Sequence, residues 1–490
     1  MSNPLSFIPM AMAAGGGRMR SSGAEWLDSA QLVAAGITLL QRSAPLVRAL
    51  AGRRSAILLP TSPAFVTALA ASDGRGAVLI NPLAAPAEIA FQCTDADVGA
   101  VFTSSAFVPR LPAGLPYVLL DDSPRAARVV TPDRTHDVDL GSHHGLSVEG
   151  ESTPDGSDEE FAVVYTSAMR GTPLGARLTH RNLLANARST IEATGMRADD
   201  HVIALLPYAH LFGLTVTGVA PMLLGARVTA LDRFNPRSAA DLVADGVTMV
   251  IGVPAVYHAL LSAIERRGID LGASALRLCL CGGAHLPREL QDRWADVTGM
   301  ELREGYGLTE AGPVCLVNRY NKPNVRGTMG EPLPGMRVEV LAESFARDGG
   351  PPTPVADETP GEICVFGANV FAGYVGNKDG LTVRDGWLAS GDEAIRHADG
   401  TIEFLGLIKP MFTRNGFNVY PREIERVIAR MPGVEEVVVT PIPEPTKEND
   451  IHVGIRGSVT DAEVKAWCES RLSAYKQPTV IEIQDDRKTG

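Results

Sequence analysis

Short apolar runs rich in β-branched residues recur along the chain, at residues 55–59 (SAILL), 77–80 (AVLI), 99–102 (GAVF), 202–206 (VIALL), 226–230 (ARVTA) and 248–252 (TMVIG). Amphipathic stretches such as 63–71 and 238–244 lie between them. A run that is apolar on both faces suits a strand covered on both sides. Helical connectors of this length join strands that run parallel. The pattern therefore predicts an α/β protein whose large N-terminal part is built of layered sheets and helices.

The 490 residues exceed what one hydrophobic core supports, so a second unit is expected. The composition changes near residue 405. After Pro410 come a capped amphipathic helix (NVYPREIERVIARM), a strand (GVEEVVVTPI) and another helix (DAEVKAWCESRLS). These read as a small α+β domain at residues 409–490, following an N-terminal domain at 1–408. Residues 132–160 are polar and acidic and read as a surface connection, in which His143 and His144 are solvated. Residues 346–360 read as a second loop.

Several function classes are disfavoured. Lys+Arg 45 against Asp+Glu 57 gives a net charge of -12, the wrong sign for a general nucleic-acid binder. No apolar run approaches the ~20 residues of a membrane span, and no basic segment precedes the mildly apolar stretch at 7–14, so a cytoplasmic protein is expected. The six cysteines form no C-x-x-C pair and read as buried free thiols. No G-x-G-x-x-G follows an early strand, which disfavours a nicotinamide dehydrogenase.

Some segments carry chemistry. Residues 161–165 (FAVVY) run into a Ser/Thr/Gly loop, and a helix is expected to begin near Thr179–Asn182. Backbone amides and hydroxyls in such a loop can cradle phosphate oxygens, although this is not a Walker loop. EGYGLTE (304–310) offers an aromatic face, a hydroxyl and a carboxylate suited to Mg²⁺. DGWLASGD ends in Asp392, an acceptor for ribose hydroxyls. LPYAHLFG places His210 among apolar groups.

In this order, together with CGGAHLPREL, GTMGEPLPG and GFNVYPREIE, these segments resemble the adenylate-forming superfamily of acyl-CoA synthetases, adenylation domains and luciferases. The LPYAHLFGLT stretch is most similar to the acyl-CoA ligase branch. The resemblance implies activation of a small-molecule carboxylate by ATP and Mg²⁺ to an acyl-adenylate, then transfer to a thiol, with CoA the expected acceptor and a carrier protein a possible one. It implies that Thr166, Ser167, Arg170 and Gly171 lie at the phosphates. Gly282, Gly283, Ala284, Tyr306 and Gly307 would surround the adenine. Thr309 would touch the α-phosphate, Glu310 would hold Mg²⁺, and Asp392 and Arg414 would bind the nucleotide. His210 would sit by the reacting carboxylate and Gly416 on the CoA side.

The chain also departs from that family's pattern. Ala168, Met169 and Leu174 stand where the phosphate loop usually has Gly, Thr and Lys, and Leu407 and Pro410 replace the hinge Arg and Asp. The resemblance places an adenylation lysine in a C-terminal Pro-x-Thr-x-x-Gly-Lys segment, and RKTG (487–490) reads as stopping before it. These departures leave an alternative: a fold of this family that has lost normal ATP chemistry. Such a protein would bind a preformed acyl-adenylate or thioester, or pass acyl groups to a carrier protein or amine.

Overall fold

The computed structural model describes residues 7–72, 76–141, 157–166, 172–272, 274–342, 345, 349–381, 383–408 and 411–484. It is a mixed α/β protein with a large N-terminal domain and a smaller C-terminal one.

The apolar runs become central strands. Arg54–Leu58, Ala77–Leu79 and Val98–Thr103 pair in parallel within an eight-stranded sheet. His201–Ala204, Arg227–Ala230, Met249–Gly252, Leu278–Cys281 and Leu302–Gly307 run parallel in a nine-stranded one. Most of their side chains are buried, and one core cluster joins residues of both sheets, such as Phe102, Val250 and Leu280, to Phe65, Tyr257 and Trp294 of the covering helices. The intervening amphipathic stretches fold as Pro63–Ala70 and Pro236–Ala244.

Two expectations are corrected. The loop after residue 166 does not lead directly into a helix. Leu174–Thr179 first forms a strand antiparallel to Glu160–Thr166. Helix His180–Thr194 follows, started by reciprocal hydrogen bonds between Thr179 and Asn182 and closed by Gly195 at φ 58. The polar stretch expected as a surface connection contains the strand Thr135–Asp139, the outer strand of the eight-stranded sheet, whose outward residues are polar because only one face is covered. His143 and His144 lie outside the described residues.

Residues 411–484 carry their own apolar cluster, including Phe412, Ile424, Ile451, Val464 and Leu472. It lies between helices Pro421–Ile428 and Asp461–Glu469 and a three-stranded sheet that begins with Val434–Glu444. The six cysteines are free and buried. Among the described residues no helix is long and apolar enough to cross a membrane.

Candidate active site

Parallel strands deliver loops to their carboxyl ends, where ligands of open α/β sheets bind. Here Leu278–Cys281 and Leu302–Gly307 end side by side and open into a cavity of about 780 Å³. Its far wall comes from the C-terminal domain, including Phe412, Tyr420 and Asn449.

At one end Tyr306 Oη donates to Asp392 Oδ2 at 2.5 Å, joining residues expected at the adenine and the ribose. Asp392 lies on strand Trp387–Arg396, just past the turn made by Asp385 (φ 49) and Gly386 (φ 78). Burial pushes its carboxyl up to about 6, against the lowering effect of the Tyr306 hydroxyl. Gly283 and Ala284 line the same cavity, and so does Gly307. Gly282 has a packing role: a Cβ there would lie 2.8 Å from the Gly305 carbonyl oxygen of the adjacent strand. Glu304, which the sequence reading left without a role, also lines the cavity, and burial pushes it up to about 8. Its place directly before Gly-Tyr-Gly was the available signal.

To act as the ribose acceptor expected from the sequence, Asp392 has to be ionised. With a carboxyl titrating near 6, the ionised fraction falls about tenfold between pH 7.5 and pH 5. AMP affinity measured by calorimetry should fall about tenfold over that range. Asp392→Asn should bind weakly and without this pH dependence.

At the other end three side chains meet. Thr166 Oγ1 donates to Glu310 Oε1 at 3.1 Å, and Tyr374 Oη donates to the same oxygen at 2.8 Å. Glu310 is buried in the short turn Thr309–Ala311, and burial raises its carboxyl while both hydroxyls lower it. Tyr374 was not legible as a site residue, because an aromatic among apolar neighbours reads as core. Thr172 and Leu174 also line the cavity. Ser167, Arg170 and Gly171 lie outside the described residues.

A second cavity of about 570 Å³ adjoins the first and shares Thr166, Thr172, Thr309, Asn418 and Arg426 with it. His210 lines it. The Phe212 backbone N–H donates to His210 Nδ1 at 3.2 Å, so the neutral ring carries its proton on Nε2. Burial lowers this imidazole to about 4, which keeps it neutral at physiological pH.

Gly416 (φ 75) brings a C-terminal loop against the N-terminal domain. A Cβ there would lie 2.7 Å from Val253 Cγ1, so the approach requires glycine on both steric and conformational grounds. Arg414, expected at the nucleotide, is not among the residues that line the first cavity. Its guanidinium donates to the Gln477 carbonyl at 2.8 Å and pairs with Asp450 at 3.2 Å inside the C-terminal domain. Leu407 lines the first cavity. Pro410 and Lys488 lie outside the described residues.

Known proteins share this sequence pattern and fold. Residues 44–375 match the family described as AMP-binding enzyme, and residues 423–490 match the AMP-binding enzyme C-terminal domain. A feruloyl-CoA synthase of Amycolatopsis sp is 31% identical over 442 residues, covering 89% of this chain and 85% of that protein. A long-chain-fatty-acid–CoA ligase of Escherichia coli O157:H7 is 29% identical over 474 residues, covering 89% and 82%. A malonyl-CoA ligase solved as a ternary product complex with methylmalonyl-CoA and AMP superposes with a TM-score of 0.78 at 26% identity, covering 98% of each chain. An amide bond synthetase from Marinactinospora thermotolerans shares the fold at a TM-score of 0.79 and 19% identity, over 98% of this chain and 95% of that one. With both regions matched, the chain belongs to the AMP-binding enzyme family.

Proposed function

We propose that the protein is an AMP-forming acid–thiol ligase, with CoA as the thiol. In the first step a carboxylate oxygen attacks the α-phosphorus of ATP and pyrophosphate leaves. In the second, the thiol sulfur attacks the acyl carbon, its proton is lost, and AMP leaves. The observation that carries this reading is the single cavity joining the Asp392–Tyr306 pair to the Glu310–Thr166–Tyr374 cluster. One end suits a nucleoside and the other suits its phosphates.

Asp392 takes the ribose, while Tyr306, Gly283 and Ala284 take the base. Thr309 and Thr166 offer hydroxyl donors to phosphate oxygens, worth most in a site that excludes water. Glu310 fits Mg²⁺: it is one fixed carboxylate, and no cluster of three or more metal-ligating acids, thiols or imidazoles occurs among the described residues. Such a site suits a cation that keeps its waters and binds through few carboxylates plus substrate phosphates. When bound, the cation supplies charge neutralisation at the phosphates. Neutral His210 donates from Nε2 to the incoming carboxylate, orienting it without adding charge. We place the domain boundary at 408/409, with Gly416 on the thiol side of the junction.

The test is incubation with ATP, Mg²⁺, CoA and a panel of aromatic, fatty and dicarboxylic acids, with products read by mass spectrometry. An acyl-CoA formed together with AMP is expected. Formation of ADP, or consumption of no acid at all, contradicts the proposal. Because His210 titrates near 4, adenylation between pH 6 and pH 9 should carry no limb from it. His210→Ala should slow the first step about 10–100-fold without changing the shape of the profile. A limb near pH 6.5 that vanishes in this variant would argue against the neutral donor.

A further inference from the structure

The first cavity is rich in acids, with Glu304, Glu310, Asp379 and Asp392 on its walls. A polyphosphate entering it needs opposing positive charge, and the side chain that position 174 contributes to its lining is an uncharged leucine. The cations around the two cavities are unequally available. Lys378 pairs with Asp95, whose other oxygen accepts from Tyr165 Oη at 2.8 Å. Lys476 is held between Glu88 and Glu423. Arg471 stacks on Trp467, 3.6 Å from the ring centroid.

Arg426 differs from these. It sits on helix Pro421–Ile428 of the C-terminal domain, is exposed, and makes no ion pair among the described residues. Its Nη1 donates to Thr172 Oγ1, across the domain junction and at the end of the phosphate loop. It also lines both cavities. Arg430, in the turn that follows this helix, lines the second cavity. A planar guanidinium with donors to spare, beside the Thr172 hydroxyl and lining both cavities, has the geometry for bidentate phosphate contacts.

We propose that Arg426 is a diphosphate-binding residue, supplied by the C-terminal domain at the junction of the two cavities. It compensates there for the cation that position 174 lacks. The ligand chemistry is a diphosphate group. The ligase reading supplies two carriers, the outer phosphates of ATP and the diphosphate of CoA, and the proposal rests on that reading only for their identity.

The test is calorimetry on the full chain as wild type, Arg426→Gln and Arg426→Lys, at one fixed salt concentration. The probes are inorganic pyrophosphate, ATP, AMP, CoA and pantetheine. Arg426→Gln should weaken pyrophosphate and at least one of ATP and CoA by about tenfold to a hundredfold, since a charge-assisted contact is lost. AMP and pantetheine should be unaffected, and Arg426→Lys should recover part of the loss. Selective weakening of ATP assigns the residue to the nucleotide, and selective weakening of CoA assigns it to the thiol carrier. Unchanged binding of pyrophosphate, ATP and CoA in Arg426→Gln overturns the proposal, as does an equal loss for AMP. If wild type binds pyrophosphate through Arg426 but neither ATP nor AMP, the ligase reading fails while the role of Arg426 stands.

Discussion

Glu310→Gln should slow acyl-adenylate formation about 10²–10³-fold, the usual effect of removing one charged contact to a developing phosphoryl transition state. The same substitution should raise thermal stability. Burial raises the Glu310 carboxyl, so the fold prefers its protonated form and the ionised group at neutral pH costs stability. The amide is neutral and nearly isosteric, and its oxygen still accepts from Thr166 and Tyr374. Single-turnover formation of the adenylate and a melting curve at pH 7.5 read the two effects. A slower enzyme that is also less stable would point to misfolding and away from the proposed role.

The sign of the pH dependence follows from the same physics at Asp392. Its folded-state carboxyl is held near 6 against an ordinary 3.8. Its contribution therefore favours the fold below about pH 4 and is lost as pH rises towards 6. The difference corresponds to about 3 kcal/mol. Relative to wild type, Asp392→Asn should thus be stabilised at pH 7.5 and much less so at pH 4. Groups retained at a cost to stability are expected where a ligand will later use the charge.

The second large effect is expected at the domain junction. Lys476 is 5% exposed, and its Nζ lies 2.9 Å from Glu88 Oε1 and 2.7 Å from Glu423 Oε1. Burial opposes its charge, but Tyr475, Glu423 and Glu88 outweigh that and hold the ammonium well above its ordinary value. Lys476→Met leaves the buried Glu423 carboxyl without its cation. Breaking a buried pair in this way typically costs about 3–5 kcal/mol, which should appear as a lowered melting midpoint. Because Glu88 belongs to helix Pro86–Asp95 of the N-terminal domain, the variant should also lose contact between the domains. Lys476→Met combined with Glu423→Gln and Glu88→Gln should recover most of the stability. No recovery would mean that lost packing, rather than unpaired charge, dominates.

The α/β class was legible because its signal is local. Runs such as 248–252 and 202–206 carry their burial on both faces in the residues themselves. Tyr306, Glu310 and Asp392 were legible because they stand in compact motifs, and the fold brings Tyr306 to Asp392 across 86 positions of separation. Strand Leu174–Thr179 was missed because LGARLT has little apolar alternation and takes its stability from pairing with Glu160–Thr166. Tyr374 and Lys476 were missed for a different reason. Their roles come from partners 64 and 388 residues away, and neither sits in a motif that advertises chemistry. Arg414 shows the converse: a charged residue beside a glycine loop whose two terminal nitrogens bond the C-terminal domain's own carbonyls and Asp450.

In the proposed reaction one cavity holds the nucleotide so that a carboxylate can displace pyrophosphate from it. Isotope exchange between labelled pyrophosphate and ATP reads that reversible step alone, before any thiol is needed. Exchange that depends on both Mg²⁺ and an added carboxylic acid, and that is lost in Glu310→Gln, is the expected result. Wild-type protein that binds AMP but supports no exchange with any aromatic, fatty or dicarboxylic acid would contradict it.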